Sequence, residues 1–110
     1  MQALTAAHKI PFNGIGKPFI ITTGRQLVDF GFPEGVDTAI IMLDGNCAFT
    51  SLIPDLYHIW WGAYIGMENE VLIEGKLAEV CDLIVETRKN ARKRHGWIMD
   101  SYLLLRERIS

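Results

Sequence analysis

The run from Pro54 to Gly96 constrains this chain more than any other stretch. It opens Pro54-Asp55-Leu56-Tyr57-His58-Ile59-Trp60-Trp61-Gly62-Ala63-Tyr64-Ile65-Gly66-Met67 and passes through an acidic, leucine-bearing middle. It closes on Arg88-Lys89-Asn90-Ala91-Arg92-Lys93-Arg94-His95-Gly96. Leu56, Trp60, Ala63, Met67 and Val71 recur at helical spacing, and Tyr57, Trp61, Tyr64 and Ile65 occupy a neighbouring face. Ile73, Leu77, Val80 and Ile84 continue a four-three-four seam through Thr87 and Ala91. Pro54 suits a first helical turn, Asp55 its positive end, and Gly96 a left-handed stop. The spacing predicts one long helix or two abutting helices.

Length sets a limit on that helix. Residues 54–95 in one straight helix would reach roughly 60 Å at 1.5 Å per residue. A compact domain of this size has a radius of gyration of only about 13 Å. Either the helix breaks, near Gly66 to Asn69, or it projects and packs against a second copy. Adjacent tryptophans on a helix point about 100° apart, so Trp60 and Trp61 do not readily share one core. A broken helix together with a homodimer is the expectation.

Glycine and proline punctuate the first half. Ile10-Pro11-Phe12 and Lys17-Pro18-Phe19-Ile20-Ile21-Thr22 flank a glycine turn and read as two short extended segments. Their prolines place them at a sheet edge or off the sheet. Thr23 caps a short helix from Gly24 to Phe30, ended by Gly31 and blocked by Pro33. Asp44-Gly45 lies between two apolar runs, 37–43 and 46–52, a hairpin signal. The first run is apolar on both faces and reads as a central strand, with a short buried helix as the competing form. Trp97 to Ile109 reads as a terminal helix, with a strand at 102–105 as the alternative. The fold class is α+β: a small sheet from one or two N-terminal hairpins, packed against two or three C-terminal helices. Residues 1–110 read as a single domain.

Composition excludes several classes. Nearly half the residues are hydrophobic, so the chain folds rather than staying disordered. The longest uncharged apolar stretch, near Ile59 to Met67, is well short of the about 20 residues that span a bilayer. No secretory signal opens the chain, and Cys47 and Cys81 are isolated, so a cytoplasmic protein with reduced thiols is expected. The net charge is −2, unevenly placed. Residues 1–87 carry four basic and eleven acidic side chains; residues 88–110 carry seven and two.

No motif supports catalysis. His8, His58 and His95 have no histidine or cysteine at metal-ligand spacing, so no metal site is expected. A Cys47–His58 or Cys81–His58 pair would have to form in space. Glu70 with Glu74, and Glu79 with Asp82, fit solvated helix faces better than acid–base pairs. Gly14-Ile15-Gly16-Lys17-Pro18 departs from a phosphate loop in spacing and puts proline where a hydroxyl is required. No cofactor is implied. The basic run matches a helix C-terminus, and the acidic remainder of the chain argues against nucleic acid.

What remains is an aromatic–basic surface: Tyr57, Trp60, Trp61 and Tyr64 with Arg88, Arg92 and Lys93. Aromatic and arginine anchors carry most of the energy of protein interfaces. The expected function is therefore a non-enzymatic interaction module, a small regulatory antagonist or adaptor that occludes a larger protein such as a transcription regulator. The alternative is a small-ligand or nucleotide binder, with Trp60 or Trp61 stacking on a base and Arg92 or Lys93 contacting phosphate.

Overall fold

A computed structural model describes residues 19–106 apart from 34, 43 and 46. The segment around 10–17, with its phosphate-loop-like glycines and His8, lies outside the described residues. Among the described residues five strands and two helices follow one another. β1 (Phe19–Thr23) leads into α1 (Gly24–Phe30) and β2 (Thr38–Met42). Two 3₁₀ turns (Ala48–Ser51 and Pro54–Leu56) precede β3 (Tyr57–Ala63) and β4 (Val71–Lys76). α2 (Leu77–His95) and β5 (Asp100–Arg106) complete the fold. The sheet order is β1-β2-β5-β3-β4. The α1 crossover makes β1 and β2 parallel, and all other pairs are antiparallel. This is an α+β fold, with its long helix towards the C-terminus.

Several expectations hold. Thr23 Oγ1 accepts from the Gln26 amide at 3.3 Å and caps α1. Gly31, at φ 74°, ends that helix with its N–H on the Leu27 carbonyl. Among the described residues β1 is an edge strand. β2 is central, and its Ala39, Ile40 and Ile41 are buried. Gly96, at φ 78°, stops α2.

The largest correction falls on residues 54–76, which form two strands instead of a helix. Tyr57, Ile59, Trp61 and Ala63 alternate onto the core face of β3, while His58 and Trp60 take the other. An aromatic run of this kind fits a period of two as well as one of 3.6, and Tyr, Ile and Trp favour pleated surfaces. The expected break near Gly66 in a long helix is instead a reversal between two strands. Gly66 sits at φ 84°, Met67 N–H reaches the Tyr64 carbonyl at 2.9 Å, and Glu70 Oε1 accepts from Gly66 N–H at 3.0 Å. Only 77–95 is helical, so one C-terminal helix stands where two or three were expected. The radius of gyration, 13.3 Å, is that of a folded-back chain.

Two smaller corrections follow from strand pairing. The terminal helix is β5, inserted between β2 and β3. Its Tyr102, Leu103 and Leu104 are all buried, as expected of a strand covered on both faces. The run after Asp44-Gly45 is a 3₁₀ turn, not the second arm of a hairpin. Both edges of β2 are already taken by β1 and β5. The Asp44 carboxylate instead accepts the Ala48 N–H at 2.6 Å and folds the chain into the turn.

α2 and α1 cover one face of the sheet. Leu77 and Ile84 of α2 are fully buried against Ile59, Trp61, Tyr102 and Leu104, with Leu27 and Phe49 closing the core. Among the described residues no helix is long and apolar enough to cross a membrane.

Candidate functional site: a basic groove beside the long helix

The last three turns of α2 face the loop that follows β2 across an open groove of about 750 Å³. Val85, Arg88, Lys89, Arg92 and Lys93 form the helix wall; Gly45, Cys47 and Thr50 form the other. Val85, Arg88, Arg92 and Gly96 lie three or four residues apart, so helical repetition alone aligns them on one side.

Behind the groove lies a hydrogen-bonded network that ties α2 to the sheet. Asp100 Oδ2 accepts from Trp61 Nε1 at 2.8 Å and from Arg88 Nε at 3.2 Å. A second guanidinium nitrogen of Arg88 donates to the Asp44 carbonyl at 3.1 Å. The Asp44 carboxylate accepts from Tyr102 Oη at 2.5 Å as well as from Ala48 N–H. Arg88 and Asp100 side chains are 11% and 7% exposed, so the pair is sheltered from solvent screening. Gly24 packs so closely on this network that a Cβ there would lie 2.5 Å from Asp44 Cγ.

Burial, then the negative charge of Asp44 and its hydrogen bond, push the Tyr102 phenol far above its usual range. Burial also raises the Cys47 thiol, partly offset by Arg88. Cys47 is therefore held as a thiol, the less nucleophilic form. Among the described residues no cluster of His, Cys, Asp or Glu could hold a metal ion.

The expected site residues divide sharply. Arg88, Arg92 and Lys93 do come together, joined by Lys89, along the groove. The aromatics do not join them. Tyr57 is 5% exposed and packs on Phe32; Trp61 and Tyr64 are fully buried. Tyr64 Oη donates to the Trp97 carbonyl at 2.5 Å and so fastens the β3–β4 reversal to the end of α2. Trp60, half-buried on the opposite face of the sheet, packs near Ile40 and Leu103 and tilts against His58 with ring centroids 4.3 Å apart.

His58 in turn pairs with Glu74 across β3 and β4, on that opposite face, so it meets neither Cys47 nor Cys81 of the core side. Glu70 and Glu74 do not share a helix face: Glu70 binds the turn at Gly66, and Glu74 lies in β4. Asp44, Asp100 and Tyr102 were not visible as site residues. Asp44 reads as turn punctuation, and Asp100 and Tyr102 meet it only through the insertion of β5 beside β2.

No family model matches the sequence. Similarity to individual proteins is substantial. Over 104 residues the chain is 52% identical to precorrin-6A synthase (deacetylating) of a Sinorhizobium species, matching 94% of this chain and 40% of that protein. The crystal structure of a cobalamin synthesis related protein (CobF) from Corynebacterium diphtheriae superposes with a TM-score of 0.86 at 39% identity. It covers 94% of this chain and 43% of that one. Uroporphyrin-III-C-methyltransferase from Thermus thermophilus shares the fold, with a TM-score of 0.57 at 16% identity over 92% of this chain and 44% of its own. The chain thus spans less than half the length of each of these three proteins.

These likenesses overturn the expected function. A protein 52% identical to this chain is a biosynthetic enzyme, which contradicts a non-enzymatic regulatory antagonist or adaptor and its transcription-regulator partner. The homodimer expectation loses its basis too: it rested on two tryptophans of one helix, and a strand sends Trp60 and Trp61 to opposite faces of one sheet. The nucleotide-binding alternative fails on geometry, because neither tryptophan lines the groove that holds Arg92 and Lys93.

Proposed function

We propose that this chain forms one domain of an enzyme that makes precorrin-6A with loss of an acetyl group. The observation that carries this reading is the 52% identity to precorrin-6A synthase (deacetylating) across 94% of the chain. The 0.86 superposition on the cobalamin-synthesis protein supports it. In this reading the domain supplies a rigid sheet whose β2 and β5 ends, braced by Asp44, Tyr102, Asp100 and Arg88, present the basic groove to the reactant. The hydrogen bonds of that brace hold the groove wall without rearrangement, as a preorganised site requires. A cytoplasmic location goes with it, in keeping with the two unpaired cysteines.

The test is turnover by the protein in its full length. Incubation with the acetyl-bearing precorrin precursor, in a cytosol filtrate that supplies small co-substrates, should yield precorrin-6A, identified by mass and absorption, with water taking up the acetyl group as acetate in equal amount. Folded protein that gives no product above the blank would refute the reading.

A further inference from the structure

We infer that Lys89, Arg92 and Lys93 form a carboxylate-binding subsite that grips the edge of a ring bearing several carboxylate arms. The inference rests on the proposed function for the identity of that ring, since precorrins are such macrocycles. Four observations carry it.

First, the cations are concentrated on one side. At 3.6 residues per turn, positions 88, 89, 92 and 93 fall within about 140° of the helix circumference, and Arg94 lies about 100° beyond them. Matching the helix dipole would be served by any arrangement around the axis. Second, their charge is not spent inside the chain. Arg88 is balanced by Asp100, whereas the side chains of Lys89, Arg92 and Lys93 have no ion pair among the described residues. Third, Lys89 and Lys93 set like charges four residues apart, where they repel, so an anion in the groove relieves a cost that the free protein carries. Fourth, the groove has a facing wall and a partly apolar lining at Val85 and Cys47, and its volume of about 750 Å³ suits a small molecule.

Three cations on an apolar lining match carboxylates spaced around a hydrocarbon ring. A guanidinium can take a carboxylate in a two-point contact, and the lysines follow arms of different reach. Arg88 has a positioning role: held by Asp100 and the Asp44 carbonyl, it fixes the helix wall.

The experiment titrates uroporphyrin III, an available carboxylate-bearing ring, into the protein at low salt and follows the absorption band of the porphyrin. Wild-type protein should bind saturably. Lys89→Gln, Arg92→Gln and Lys93→Gln combined should weaken binding by about 30-fold or more, at roughly three- to tenfold per charged contact, and flatten its salt dependence. All three side chains are exposed, so the melting temperature should stay within a few degrees. Arg94→Gln, outside the groove, should leave affinity within about twofold.

Equal affinity in the triple variant, no saturable binding to wild type, or full displacement by equimolar pyrophosphate would overturn the inference. Turnover separates it from the proposed function. Activity whose KM is unmoved by the triple variant would sink the subsite alone. Porphyrin binding that depends on the three cations, in a protein that makes no precorrin-6A, would sink the proposed function alone.

Discussion

Asp100→Ala should be the most informative single change in this chain. The carboxylate accepts from two groups that have little access to water: Trp61 Nε1 at 2.8 Å and Arg88 Nε at 3.2 Å. Trp61 is fully buried, and the Arg88 side chain is 11% exposed. Truncation takes the Asp100 acceptor away from the indole N–H, at a cost of about 1–3 kcal/mol. It also leaves a sheltered guanidinium without its counter-charge, a loss that reaches about 3–5 kcal/mol for fully buried pairs. Arg88 keeps its bond to the Asp44 carbonyl and some contact with water, so the two losses together should come to about 3 kcal/mol. For a domain of this size that is a fall of about 12 °C in Tm.

Urea unfolding at constant slope gives the free energy, and a cycle with Arg88→Met isolates the pair. In the double variant Asp100→Leu/Arg88→Met the charge is removed with its partner. It should therefore be more stable than Asp100→Ala by about 1–2 kcal/mol, the indole still lacking its Asp100 acceptor. A loss below about 1 kcal/mol for Asp100→Ala, with no coupling to Arg88, would show that the network does not brace the groove.

Three further outcomes are expected. Trp61→Ala should cost about 3–5 kcal/mol and Trp60→Ala clearly less, because the first fills the core and the second is half-exposed; equal losses in urea unfolding would contradict the assignment of faces. Gly24→Ala should destabilise by about 1–3 kcal/mol, since its Cβ must displace the Asp44 carboxylate, and an unchanged Tm would refute the close approach. All three tyrosines, Tyr57, Tyr64 and Tyr102, have phenols raised above their usual range by burial. The unfolded phenols ionise near pH 10 while the folded ones stay neutral, so stability is complete below about pH 10 and declines as pH rises beyond it. An ultraviolet titration should show phenolate appearing together with unfolding; one tyrosine ionising near pH 10 in folded protein would contradict this.

Features whose physics acts within one turn were legible from the residues alone. Thr23 and Gly31 bound α1 because a hydroxyl cap and a left-handed glycine act within one turn. Gly96 ends α2 for the same reason, and the seam at Leu77, Val80 and Ile84 is correctly helical. The doubly apolar run at 38–42 marked a central strand. The basic residues Arg88, Arg92 and Lys93 shared a helix face by spacing alone, and so half of the groove was legible.

The remaining features depend on strand pairing across the fold. The aromatic run at 57–63 satisfies two periods at once, and only the edges offered by β5 and β4 select the strand. Asp100–Arg106 likewise has helical spacing, but the open position between β2 and β3 makes it the centre of the sheet. That insertion sets Tyr102 against Asp44, and it leaves Asp100 facing Trp61 and Arg88. The partners are separated by 58, 39 and 12 residues. Contacts of such separation have no signature in local spacing, because they exist only after long loops have closed and strands have paired.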